Sequence, residues 1–145
     1  MTTDTRFAGT AATSTTPLWR PRLLTVVGAA VGAAVLFFIG KAADVALTVD
    51  QNDGKGAVDL TIGNVIGFAA GAALLGWALL ALLEKFAPAK SKKIWTIVAS
   101  VVLVVSLGLP FGVETTSGTK VILALTHLTV GLVVILGLRR NAKSA

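Results

Sequence analysis

Four long apolar runs dominate this sequence, and none has a place in a water-soluble fold. They cover residues 23–39 (extending to 43), 60–83, 94–111 and 121–138. Each is close to the roughly 17–25 residues that cross about 30 Å of hydrocarbon at about 1.5 Å per residue. No acidic or basic side chain lies in the central stretch of any run. A buried helix of a soluble bundle keeps a polar outer face, and no run has one. The expected fold class is therefore all-α, a four-helix transmembrane bundle over residues 18–140.

Composition agrees. The chain has 145 residues, 54% of them hydrophobic and 14% charged, against about 45–50% and about 25% in soluble domains. Its formal charge of +6 invites a nucleic-acid reading, but the positions of the charges explain it better. Arg6, Arg20 and Arg22 precede the first run, Lys85, Lys90, Lys92 and Lys93 separate the second from the third, and Arg139, Arg140 and Lys143 follow the fourth. Ten of the 13 basic residues thus fall on one side, while Lys41, Lys55 and Lys120 share the other with Asp44, Asp50, Asp53, Asp59 and Glu114. The positive-inside rule puts the ten in the cytoplasm, with both termini. No nucleic-acid partner is expected, since these residues form no patch interleaved with aromatics on a folded domain.

Residues 1–17 are rich in Thr, Ala, Gly and Ser without an apolar period and read as a disordered tail; residues 141–145 read as a short basic one. Trp19 among Arg20 and Arg22 marks an interfacial anchor. The first run exceeds the roughly 7–15 residues of a signal-peptide core, and a span is expected there rather than a cleaved leader.

Between the first two runs lies the longest loop, residues 41–59. Asn52-Asp53-Gly54 is a turn signal between alternating segments, so a short external β-hairpin is expected. A calcium loop is not: counted from Asp50, Lys55 takes the position of the obligatory glycine and Thr61 that of the bidentate Glu.

Small residues recur at four-residue spacing. Gly28 and Gly32 form one GxxxG pair, flanked by alanines, and Gly63, Gly67 and Gly71 a double one. Such faces let helix backbones approach closely in lipid. Packing between helices one and two accounts for them within the chain; a homo-oligomer or another membrane protein accounts for them outside it.

His127 is the single histidine and the one ionisable side chain well inside a run, seventh from its start and about 9 Å deep. A polar group at that depth turns to protein or water rather than lipid. Asn64 and Ser106 fall at similar depth, so a polar intramembrane cluster of His127, Asn64 and Ser106 is expected, with Thr126 or Thr129 nearby. It would serve as a structural network between helices two, three and four, as part of a transport path, or as a haem site. No cysteine is present and one histidine cannot build a multi-histidine cluster, so no metal site and no cofactor is expected. No catalytic constellation or phosphate loop is apparent, and no enzymatic activity is expected.

Leu18-Trp19-Arg20, the glycine-rich second run, Leu125-Thr126-His127-Leu128 and Gly137-Leu138-Arg139-Arg140 together resemble a family of small four-helix membrane proteins of high-GC bacteria that has no assigned function. The resemblance implies a plasma-membrane location and the four-helix fold, and brings no activity with it. The functional expectation is a non-enzymatic accessory or scaffold subunit acting by helix association. The alternatives are a small oligomeric transporter or channel with the polar cluster around His127, and a haem or redox subunit. Its expected partners are the lipid bilayer and either further copies of itself or another membrane protein.

Overall fold

The computed structural model describes residues 17–143. The expected disordered tail therefore lies outside the described residues, apart from Pro17. Four helices carry the fold: α1 (Trp19–Ala42), α2 (Ile62–Phe86), α3 (Ser91–Ser106) and α4 (Ser117–Arg140). A hairpin of two short strands, β1 (Thr48–Val49) and β2 (Val58–Asp59), joins α1 to α2. All four helical segments are long and apolar enough to span a bilayer, the third when counted through to Phe111. Their apolar surface faces outward: of the most apolar window in α4, only 6% is buried. In water that surface would drive aggregation; in lipid it is the solvated state.

Helix limits differ from the apolar runs for local reasons. Thr61 caps α2, its Oγ1 accepting the Asn64 N–H at 3.2 Å, and Thr116 caps α4 by accepting the Thr119 N–H at 3.2 Å. Capping lets α4 start four residues before its apolar run. The third helix stops early, at Ser106, because Gly108 and Pro110 follow; the chain continues through a 3-10 turn at Leu109–Phe111. Proline there has no N–H to carry an α-helix onward.

α1 packs mainly on α4 and α2, while α3 lies on the opposite side of the bundle against α4 and α2. Small residues make the tight side: Ala29, Ala33 and Ala73 are fully buried, alongside Leu80 and Leu138. Thr25 sits so close to Gly137 that any Cβ there would collide with it.

At the hairpin end, Thr48 pairs with Asp59 and Val49 with Val58, antiparallel as expected. Asp50 Oδ1 accepts the Asn52 N–H at 2.9 Å, and Asn52, Gly54 and Gly56 take the positive φ values that the turn needs. This hairpin does not stand alone. Asp50 and Glu114 exchange backbone hydrogen bonds at 3.0 and 3.1 Å, and the Thr115 hydroxyl donates to the Thr48 carbonyl. Leu47 anchors it below, 1% exposed, with its methyls against Gly40. The α1–α2 and α3–α4 connections are thus tied into one cap.

Candidate functional site

Beside the tight α1–α2–α4 side, the bundle does not close. Trp95, fully buried, donates its Nε1–H to the Gly76 carbonyl at 2.8 Å and pins the start of α3 to the middle of α2. Beyond Trp95, Val98, Ala99 and Val102 of α3 and Ala69 and Ala72 of α2 help to line a half-open cavity of about 570 Å³ between α2, α3 and α4. Its exposed lining residues, Phe68, Leu75 and Val102 among them, belong to α2 and α3. The mouth therefore lies between those two helices, on the bundle's outer surface.

Four polar side chains line this space: Trp95, Ser106, Thr126 and His127. Each turns its hydrogen to a backbone carbonyl. Besides the indole on Gly76, the Ser106 hydroxyl donates to Leu103 O and the Thr126 hydroxyl to Ile122 O, each at 2.8 Å. His127 Nδ1 lies 2.8 Å from Leu123 O. A carbonyl only accepts, so Nδ1 carries the proton in that contact; in the neutral ring, Nε2 is then an acceptor.

The expected trio is only partly assembled. His127 and Ser106 share the cavity wall, but Asn64 does not line it and is exposed in the first turn of α2. Counting depth from Leu60 set Asn64 too deep, because α2 begins at Ile62. The side chains of His127 and Ser106 bond within their own helices, so no side-chain hydrogen bond links Asn64, Ser106 and His127 across helices two, three and four. Ser and Thr in apolar helices meet the carbonyl one turn back, and His127 does the same. Thr129 points elsewhere, toward Gly32 of α1.

The glycine faces also divide. Gly28 and Gly32 pack against Val133 and Thr129 of α4, not against α2. Among the described residues, a Cβ at Gly63 would meet only the neighbouring Thr61 side chain, and one at Gly67 or Gly71 nothing within 4 Å. Gly76, Gly131 and Gly137, which carry close interhelical contacts, were not singled out by the four-residue spacing.

A further feature escaped the sequence reading. At the basic end, Arg22 and Glu84 form an ion pair of 2.6 Å with side chains only 5% and 7% exposed. Arg22 also donates to the Asn141 carbonyl at 2.9 Å, and Glu84 accepts the Lys143 N–H at 2.8 Å. One signal was available: apart from Asp4, Glu84 is the single acid on the side that holds ten basic residues. Among the described residues, no group of three His, Cys, Asp or Glu side chains is placed to hold a metal ion.

Fold and surface define a multi-pass membrane protein of four helical spans. The chain belongs to DUF6069, a family of unknown function, whose pattern matches residues 13–144. No curated protein and no solved structure matches it.

Proposed function

We propose that this protein is a non-enzymatic accessory or scaffold subunit, which acts by presenting the α2 glycine face to another transmembrane helix. The observation that carries this reading is the contrast between two sets of glycines. Those at 28, 32, 76, 131 and 137 have neighbours from other helices against them, whereas Gly67 and Gly71 have none among the described residues. Glycine in a helix costs about 1 kcal/mol relative to alanine, and an apolar lipid contact gives no return for that cost. A closely approaching helix does. By the positive-inside rule the basic end lies in the cytoplasm of the cell that makes the protein, and the capped hairpin end outside.

Native mass spectrometry of protein gently extracted from its own membrane tests the proposal. The expected result is a second protein, or a second copy, at fixed stoichiometry, lost in the Gly67→Leu variant. Because a Cβ at Gly67 would meet none of the described residues within 4 Å, the variant should fold. A monomer alone in both samples would end the reading.

A second reading, a small oligomeric transporter with His127 on its path, draws support from the shared cavity wall of His127 and Ser106. It requires solute flux through vesicles containing the purified protein alone, lost in His127→Ala.

A further inference from the structure

We infer that the cavity between α2, α3 and α4 is a binding site for a neutral lipid-like alcohol, an apolar body ending in a hydroxyl group. The site uses other residues than the α2 glycine face and does not depend on the association reading.

Size comes first. The volume of about 570 Å³ lies within the roughly 300–1,000 Å³ of small-molecule sites. A partner helix about 10 Å across would need about 850 Å³ for two turns alone, so a transmembrane helix does not fit. One aliphatic or isoprenoid chain does. The mouth between α2 and α3 opens sideways, where the bilayer lies, and the ligand arrives by partition into the membrane rather than from water.

Polarity then selects the head group. Among the described residues, no Lys, Arg, Asp or Glu lines the cavity, so beside a neutral His127 a phosphate or carboxylate would enter apolar surroundings without a counter-charge, at high cost. Every side-chain hydrogen that a neutral wall could offer is already committed: the indole to Gly76, the two hydroxyls to Leu103 and Ile122, and the imidazole Nδ1 to Leu123. What remains are lone pairs on Ser106 Oγ, Thr126 Oγ1 and His127 Nε2. A ligand that only accepts, such as a ketone, quinone or ether, finds no donor there. A hydroxyl donates its hydrogen to this group of acceptors. Position supports the orientation, because Ser106 ends α3 near the hairpin while Trp95 lies one turn from its start. The hydroxyl belongs at the hairpin end and the chain runs toward Trp95.

The single histidine makes the test direct. Protein labelled with ¹⁵N only at histidine, in lipid nanodiscs, is titrated with oleyl alcohol and with oleyl methyl ether, which differ in that one hydrogen. Oleyl alcohol should move the His127 Nε2 resonance saturably and bind about three- to tenfold more tightly than the ether, the factor expected of one neutral hydrogen bond. The His127→Phe variant, followed by quenching of tryptophan fluorescence with brominated analogues, should lower the affinity for the alcohol toward that for the ether. Ala72→Phe places bulk at the exposed rim of the cavity and should abolish the saturable shift. Equal affinity for alcohol and ether would overturn the inference, as would tighter binding of oleic acid. So would a shift that persists in Ala72→Phe, or an absence of saturable binding.

Discussion

Replacing Glu84 with alanine should be among the most destabilising single changes at the basic end. Its Oε1 accepts from Arg22 Nη2 at 2.6 Å and from the Lys143 N–H at 2.8 Å. Without it, a guanidinium with 5% side-chain exposure retains the Asn141 carbonyl and loses its counter-charge. Breaking a buried ion pair by removing one partner costs about 3–5 kcal/mol. Arg22 lies near the end of α1 and can relax partway toward water, so about 3 kcal/mol is the expected loss. For a chain of this size that is roughly 6–12 °C in melting temperature. The double variant Arg22→Met with Glu84→Leu removes both charges and fills the space, and should recover most of the loss. Circular dichroism melts in mild detergent, run on both single variants and the double, give the coupling between the two sites. A Glu84→Ala variant within about 1 kcal/mol of the parent would refute the reasoning, as would a double variant whose loss equals the sum of the singles.

Gly137→Ala should destabilise the isolated protein, because overpacking costs about 1–3 kcal/mol and the added Cβ would collide with Oγ1, Cγ2 and Cβ of Thr25. Gly71→Ala should instead gain up to about 1 kcal/mol from helix propensity; the same melts rank the two. Leu47→Ala should cost about 2–5 kcal/mol and free the hairpin from the helix ends, seen as faster hydrogen exchange at the Leu60 amide, which bonds Leu47 O at 2.8 Å. At the hairpin tip, the Lys55 N–H and then its ammonium, 3.1 Å away, hold the Asp53 carboxyl below its ordinary range. A lowered folded-state value means this contribution is present above the unfolded pKa and is lost as pH falls through the folded one. A pH titration of the Lys55 amide shift should therefore have its midpoint below about 3.9.

The spans were legible because length and unbroken apolarity are one-dimensional properties. The hairpin was legible for a similar reason, since Asn52 and Gly54 suit the positive φ values that they adopt. Helix rotation was not. α1 and α4 are apolar on every side, so no polar stripe records which face meets which neighbour. GxxxG spacing identified Gly28 and Gly32 as a contact face and left it open whether within the chain, against α2, or between chains; they meet α4. Asn64 was misplaced for a related reason, because apolarity begins at Leu60 while the helix starts only after the Thr61 cap. The cavity is lined by residues of α2, α3 and α4 together, and no single segment encodes that. Glu84 reads locally as one more charge at a membrane boundary; its role comes from Arg22, 62 positions away.

The central claim, that the α2 glycine face receives another helix, is tested most directly by photo-cross-linking in the native membrane. Leu74 is the probe position: it is already large and 48% exposed, and it lies on the same stripe of α2 as Gly67 and Gly71. Val104, 69% exposed on α3, serves as control. A benzophenone side chain at position 74 should yield one discrete protein adduct, a second copy or a different membrane protein, and at position 104 none. Lipid adducts alone at both positions, or the same protein adduct at both, would contradict the account.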